Sequence, residues 1–369
     1  MKVLQILPAL DAGGVERGTL ELARALVAAG HTSVVVSSGG RLVEQLEQQG
    51  SRHRRLPVHR KSPISLLQVH RLRRLLLEER PQILHYRSRV PGWIAYLAWR
   101  SLRHDQRPRL VSTVHGFHSV NRYSAVMGKG ERVIAVSESI RQHLLRDYPA
   151  VDPSRIRVVY RGIDPERYQR ARCLDGAWSR DFETAHPLPP GGRRLLLPGR
   201  ITRLKGHDDF LRLLAALKQR GRVVQGLVAG DTHPRKQAYR RELEQRVVQL
   251  GLEEEVRFLG HRSDLPQLMT ASDLVLSLSQ QPESFGRTVL EALALQTPVA
   301  GYAFGGVGEV LERIYPAGLV AAGDAAALLA VVERLLDAPA VPAPVGRPFT
   351  LEQMASGTLA VYRELLETS

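Results

Sequence analysis

Short apolar runs bounded by glycine, proline or charge recur along the chain, and most are followed by a stretch with apolar residues three and four apart. Val3–Leu7, Ser33–Ser37, Ile83–Tyr86, Leu110–Val114, Arg132–Val136 and Ile156–Tyr160 read as strands, with a helix over Thr19–Ala28. A second series holds the strands Arg194–Leu197, Val223–Ala229, Val256–Leu259 and Leu274–Leu278, with a helix over Asp208–Lys218. A further helix carries Leu290, Leu293 and Ala294 and stops at Thr297 and Pro298. Strands that alternate with helices predict parallel sheets covered on both faces. The two series are separated by a polar stretch ending in Pro187, Pro189, Pro190, Gly191 and Gly192, which reads as a linker. The expected division is therefore a first domain over 1–165, a linker over 166–192 and a second domain over 193–349. An amphipathic segment, Thr350–Leu366, falls in the remaining 350–369.

Composition fits that division. A chain of 369 residues is longer than one core usually serves. Hydrophobic content of 43% with 24% charged residues excludes disorder as the main state. The single cysteine, Cys173, excludes an intramolecular disulfide and a cysteine-rich zinc site, and fits a reducing compartment. No apolar run has the length of a membrane-spanning helix, and the first residues read as a strand rather than a leader, so a cytoplasmic protein is expected.

Charge adds a distinction between the halves. The net charge is +15, and Met1–Arg161 holds 27 Lys and Arg against 12 Asp and Glu, so the whole excess lies there. That half is suited to facing a polyanion or an anionic membrane surface. Within it, Arg52–Arg80 mixes Arg54, Arg55, Arg60, Lys61, Arg71, Arg73 and Arg74 with Leu66, Leu67, Val69, Leu72, Leu75 and Leu76. A cationic amphipathic helix lying on a bilayer and a helix packed on its own sheet with a solvated basic face both give this pattern. The aromatic helix Trp93–Trp99 is too short to span a bilayer and reads as core.

Candidate chemistry concentrates in QPESFGRTVLEALALQTPVAGYAFGGVGEV, Gln281–Val310. Ser284, Phe285, Gly286 and Arg287 feed a helix start, where free N–H groups and the dipole favour an anion and Gly286 admits a close ligand. Glu283 and Glu291 flank that start. Carboxylates do not bind phosphate, so they suit hydroxyl-rich groups attached to it; they also suit a helix-start charge and a solvated face. Arg200 and Lys205, in the glycine-punctuated turn PGRITRLKG, suit two neighbouring phosphates or plain surface charge. Arg87 and Arg89 lie just beyond a strand end, where open parallel sheets bind ligands, and are candidates for gripping a phosphate or carboxylate. His115 leaves its strand beside Gly116 in the same way. Gly13 and Gly14 join the first strand to its helix without G-x-G-x-x-G spacing, so a dinucleotide fingerprint is unsupported. There is no P-loop motif and no D-x-D pair for a divalent cation, so no metal or cofactor is expected.

The pattern PESFGRTVLEALALQTPVA with GGVGEV resembles the carboxylate-x7-carboxylate signature of family 4 glycosyltransferases, retaining enzymes of the glycosyltransferase B fold. LPALDAGGVERGTLELARAL, STVHGFH, VIAVSES, VVYRGID and PGRITRLKG match in order, so the resemblance spans nearly the whole chain. It implies two Rossmann-like doubly wound α/β domains facing across a cleft, with the terminal segment crossing back to the first. It implies a nucleoside diphosphate sugar, a UDP-sugar foremost, as co-substrate. Arg200 and Lys205 would stabilise the leaving diphosphate, Glu283 hold the sugar and Glu291 the ribose, with the leaving phosphate helping to take the acceptor proton. By the same resemblance Gly13 and Gly14 lie near the donor phosphate, His115 faces sugar or acceptor, Arg262 belongs to the base-binding loop GHRSDL, and Glu309 is a further donor-side residue. The acceptor expected is a saccharide or glycolipid of the lipopolysaccharide or cell-envelope type, met at the inner face of the inner membrane. A non-catalytic polyanion or nucleic-acid binder shares the basic pI but finds no nucleic-acid motif here; an epimerase or phosphorylase on the same fold stays open.

Overall fold

The computed structural model describes residues 1–11, 13–59, 65, 67–173, 176–232, 237–343 and 349–367, and the chain divides into two compact units. The first comprises Met1–Gly162 with Leu351–Ser369. Its parallel sheet contains β1 (Lys2–Ile6), β2 (Thr32–Ser37), β3 (Arg52–Arg55), β4 (Ile83–Tyr86), β5 (Arg109–Val114), β6 (Arg132–Ala135) and β7 (Ile156–Val158) in the order β3-β2-β1-β4-β5-β6-β7. The order reverses between β1 and β4, which pair from Val3↔Ile83 to Ile6↔Tyr86. Beyond the carboxyl ends of those two strands the connecting loops part in opposite directions and leave a crevice.

The central strands are apolar on both faces because both faces are covered. On one side Leu22 and Leu26 of the helix Gly14–Ala28 and Tyr362 and Leu365 of the helix Leu351–Glu367 pack on Val3, Ile83, Val111 and Ile134. On the other, Leu72 and Leu76 of Leu67–Glu79 and Ile94 and Ala95 of Arg89–Arg100 pack on Leu4, Leu84 and Leu110. The final helix is also tied by polar groups. The fully buried His85 imidazole bridges Tyr362 Oη and Thr113 Oγ1, each at 2.6 Å, and Glu364 receives Arg132 at 2.8 Å and Arg157 at 3.0 Å.

Two sequence expectations in this unit change. The stretch Arg52–Arg80 is not one helix: Arg52–Arg55 is the edge strand β3, and the helix covers Leu67–Glu79, with Arg60, Lys61 and Leu66 outside the described residues. The charge that looked helical is held by Glu79, 5% exposed, which pairs with Arg52 at 2.9 Å, Arg54 at 2.7 Å and Lys2 at 3.4 Å. Arg71 and Arg74 remain exposed opposite Leu72 and Leu76. The helix read as core does bury Pro91, Gly92, Ile94, Ala95 and Ala98, but Trp93, Tyr96 and Trp99 are half-buried, packed against that core from its edge. Arg107 lies over the Trp99 ring at 4.9 Å and Lys129 over Tyr96 at 5.0 Å.

The second unit, Ile163–Thr350, has a parallel sheet of β8 (Arg193–Pro198), β9 (Val224–Ala229), β10 (Val256–Gly260), β11 (Leu274–Ser277), β12 (Val299–Tyr302) and β13 (Leu319–Val320), ordered β10-β9-β8-β11-β12-β13. Its order reverses between β8 and β11. β12 and β13 escape the sequence pattern because one is four residues with an internal glycine and the other only two. The stretch read as a linker carries the helices Arg170–Cys173 and Gly176–Ala185, with Leu174 and Asp175 outside the described residues. It is folded onto the second unit by Arg194, 4% exposed, which bonds Glu183 at 2.5 and 2.7 Å and the His186 carbonyl at 2.6 Å. Trp178 stacks on Phe182 at 4.8 Å beside it.

Glu79 yields a stability prediction. Burial tends to raise its pKa, but the Arg54 hydrogen bond, the Arg52 charge and the Lys2 hydrogen bond outweigh this and hold it below the ordinary glutamate value. A depressed carboxylate pKa stabilises the fold above the unfolded-state pKa, and that contribution is lost as pH falls through the folded-state value. Because the two arginines are half-exposed, Glu79→Gln should cost only about 1–3 kcal/mol at pH 7. Urea titrations at pH 7 and pH 3 should show the deficit shrinking at the lower pH.

Candidate active site

In the second unit the site is built where β8 and β11 end side by side. The chain leaves β8 through Gly199–Gly206 and leaves β11 through Leu278–Gly286, and the two turns meet. Gln280 N donates to Leu204 O at 2.8 Å, and Gly206, at φ 70°, sits so close to the Leu278 carbonyl that a Cβ would collide with it. This contact brings Lys205 and Glu283 together, with Lys205 Nζ donating to Glu283 Oε1 at 2.6 Å and the Ser279 hydroxyl donating to the same oxygen. Arg200 is exposed on the first of these turns.

The Glu283 loop is fixed from its other side by Gly305 and Gly306. Gly306 N donates to Glu283 O at 2.6 Å, and a Cβ on either glycine would strike the backbone of Glu283 or Phe285. The glycine pair therefore permits two backbones to touch. Gly286 follows at φ 81° and precedes the helix Arg287–Ala294, whose first N–H groups lack intrahelical partners. Ser284 is half-buried in this loop, whereas Phe285 turns into the core, edge-on to Phe349 at 5.8 Å, so its backbone alone faces the helix start. Glu309 is half-buried in the first turn of Gly306–Ile314.

Glu291 is not a solvated face residue. It is 7% exposed, and its Oε1 accepts from Tyr168 Oη at 2.8 Å and Arg287 Nε at 3.0 Å. Burial, and then the Glu291 charge, raise the Tyr168 pKa, so the phenol stays a donor. Sequence reasoning missed Tyr168 because it lies in the supposed linker with no spacing signal toward Glu291. Arg262 makes a two-bonded pair with Asp264 at 2.8 and 2.5 Å, and Asp264 also accepts from Trp178 Nε1 at 2.7 Å. Arg262 is thus oriented, through Asp264, by the same helix that carries Trp178.

In the first unit, Arg87 follows β4 and His115 follows β5, as expected of residues at strand exits. Arg161, which the sequence reading passed over, lies beyond β7 and joins them. It is 8% exposed, donates to the Gly14 carbonyl and reaches His115 Nδ1 at 3.3 Å. Gly13 is extended, at φ 177°, so its conformation does not demand glycine. Burial, then the neighbouring Arg161 and Arg87, push the His115 pKa well below its ordinary value, so the ring is neutral. Arg89 turns away, donating to Ser124 Oγ at 3.2 Å with its guanidinium over Tyr123 at 5.3 Å. Among the described residues, no group of three or more His, Cys, Asp or Glu could hold a metal ion.

Comparison with known proteins follows from this geometry. The family model "Glycosyltransferase Family 4" matches residues 12–167 and "Glycosyl transferases group 1" matches 179–346. The crystal structure of a glycosyltransferase from Rickettsia africae superposes with a TM-score of 0.84 at 28% identity, covering 100% of this chain and 99% of that one. The chain belongs to the family 4 glycosyltransferases. The two parallel-sheet units of this family 4 protein are those of the glycosyltransferase B fold. The fold is shared at 21% identity and a TM-score of 0.76 with Anabaena HepE, solved with UDP and glucose, over 100% of this chain and 99% of that one. A 2-deoxystreptamine glucosyltransferase of Streptomyces kanamyceticus is 33% identical over 188 residues, 50% of this chain and 46% of the relative. A lipopolysaccharide core biosynthesis mannosyltransferase of Rhizobium meliloti is 31% identical over 219 residues, 57% and 61% of the two chains. The chain spans about half the length of the curated relatives it matches.

The Glu291 cluster of this family 4 protein can be tested by stability alone. Tyr168→Phe removes one hydrogen bond to a buried carboxylate and should cost about 1.5–3 kcal/mol in urea unfolding. Combined with Glu291→Ala the losses should be less than additive, because both substitutions remove the same contact. Strict additivity in the double-mutant cycle would mean the two groups are not coupled.

Proposed function

We propose that this family 4 protein is a retaining glycosyltransferase that moves a sugar from a nucleoside diphosphate sugar, a UDP-sugar foremost, to a saccharide or lipid-linked acceptor in cell-envelope synthesis. The observation that carries the reading is the Lys205–Glu283 pair at the reversal point of the second sheet, beside the open start of Arg287–Ala294. A cation and the positive end of the helix dipole there suit a diphosphate, and a fixed carboxylate next to them suits the hydroxyls of the sugar it carries. The UDP choice draws on the UDP and glucose bound to HepE of Anabaena, and the envelope setting on the mannosyltransferase of Rhizobium meliloti.

The chemistry divides among the residues as follows. Lys205 and Arg200 neutralise the diphosphate as the bond between the anomeric carbon and its phosphate oxygen breaks, with the helix start adding fixed dipoles. Glu283 exchanges its contact with Lys205 for the sugar hydroxyls when donor arrives, and Ser279 keeps it oriented. Glu291, held by Tyr168 and Arg287, accepts from the ribose, while Arg262 lies at the base. The departing phosphate oxygen takes the proton of the acceptor hydroxyl as the acceptor oxygen bonds the anomeric carbon on the same face. His115, a neutral donor, faces sugar or acceptor. No helix among the described residues is long and apolar enough to cross a membrane. The exposed Arg71 and Arg74 support a peripheral position on an anionic bilayer.

Screening nucleoside diphosphate sugars by thermal shift, then scoring transfer to candidate saccharides by mass spectrometry, tests the reading. Glu283→Gln should lower transfer about 100-fold or more while UDP affinity, measured by calorimetry, changes little. Equal losses for UDP and UDP-sugar would remove Glu283 from the sugar.

The basic face has a separate check. Replacing Arg71, Arg73 and Arg74 together by Glu should abolish sedimentation with anionic liposomes at low salt and leave UDP binding intact. A wild-type protein that stays in the supernatant would make the face plain solvated surface.

A further inference from the structure

Two hydrogen-bond donors of the first unit line one small cavity, and neither has an acceptor among the described residues. The first is Arg87 Nε–H, on a side chain only 6% exposed. The second is His115 Nε2. Its ring receives Arg161 at Nδ1, and a guanidinium can only donate, so the ring proton must sit on Nε2. Arg161 is held in place by the Gly14 carbonyl, at the start of the fifteen-residue helix Gly14–Ala28. Both guanidinium groups point at the same spot over Gly18, where a Cβ would meet Arg161 and lie 3.7 Å from Arg87 Nη1.

The cavity measures about 20 Å³, and its wall includes Arg161, Thr113, Leu22, Val159 and Met354. That is room for roughly one oxygen atom, so a ligand inserts a tip and keeps its body outside. Burial lowers the Arg87 pKa to about 10, with Tyr362 and Glu21 acting in the opposite sense, so the group is charged at neutral pH. A water would satisfy the donors but add nothing against the cost of burying the Arg87 charge, which Tyr362 and Glu21 offset only in part. An anionic oxygen answers both.

We infer that Arg87, Arg161 and His115 form an oxyanion site that selects an acidic acceptor, a saccharide bearing a carboxylate or a phosphate monoester. The inference rests on the glycosyl-transfer reading and adds the acceptor class to it. Arg89, engaged with Ser124 and Tyr123, takes no part.

Calorimetry on the full chain with glucuronate, glucose 6-phosphate and methyl glucoside tests the site, with UDP titrated in parallel as an independent ligand of the second unit. At least one of the two acids should bind tenfold or more tightly than methyl glucoside, and which acid does so separates carboxylate from phosphate. Arg87→Met should erase that preference with UDP affinity unchanged, and Arg87→Lys should restore part of it. If the Met variant does not fold, the Lys variant and the wild-type ligand series still decide. Equal binding of the three sugars, or an acid preference that survives Arg87→Met, overturns the site and leaves a water-filled cavity. Acid binding without any UDP binding would keep the oxyanion site and remove the glycosyl-transfer reading.

Discussion

Backbone touching backbone is the constraint on which the second unit's site depends. At Gly206, and again at Gly305 and Gly306, the chain passes so close to another turn that no side chain fits between. Those contacts, sealed by the bonds from Gln280 to Leu204 and from Gly306 to Glu283, clamp the Glu283 loop from both sides. A carboxylate carried by a loop is ordinarily loosely positioned, and clamping the backbone is what lets a short side chain be placed well. Substituting any of the three glycines would have to move a main chain, so the effect would be felt at Glu283 even though no glycine contacts it through a side chain.

Charged groups at both sites are oriented by partners a sequence reading does not supply. Lys205 and Glu283 hold each other, Tyr168 and Arg287 hold Glu291, Asp264 and Trp178 hold Arg262, and Arg161 holds His115. Each such pairing limits side-chain freedom before any ligand arrives, so less ordering remains to be done on binding. Exchanging Lys205–Glu283 for ligand contacts, as the proposed mechanism requires, would be inexpensive because both groups are partly solvated, at 33% and 22% exposure.

Much of the fold was legible in the chain because buried parallel strands advertise themselves as short apolar runs. Ile83–Tyr86 was read to the residue, and Leu274–Leu278 to within one. β3 was not legible, since an edge strand of four residues, Arg-His-Arg-Arg, has no apolar face to show and owes its place to β2 and to Glu79. β12 and β13 were too short, and the helices of 166–192 were hidden by a composition that looked like a linker until Arg194 and Trp178 found partners. The motifs led to Lys205, Glu283, Glu291 and His115 because glycine, charge and strand-end position coincide there. Tyr168 and Arg161 became visible only in three dimensions, as each meets its partner across a separation no local pattern spans.

The helix Leu351–Glu367 belongs to the first unit, yet the whole of Ile163–Thr350 intervenes. During synthesis the ribosome therefore releases the second unit as one continuous piece before the first can be completed. Until then the sheet face around Ile83, Val111 and Ile134 is covered only in part, by Leu22 and Leu26, and the His85 imidazole lacks the tyrosine that will bridge to it. An unfinished apolar face of that kind is what chaperones recognise, and it persists for as long as some 190 codons take to translate, about 10–40 s at typical rates. The order of the genetic message thus makes the first unit to emerge the last one to be closed.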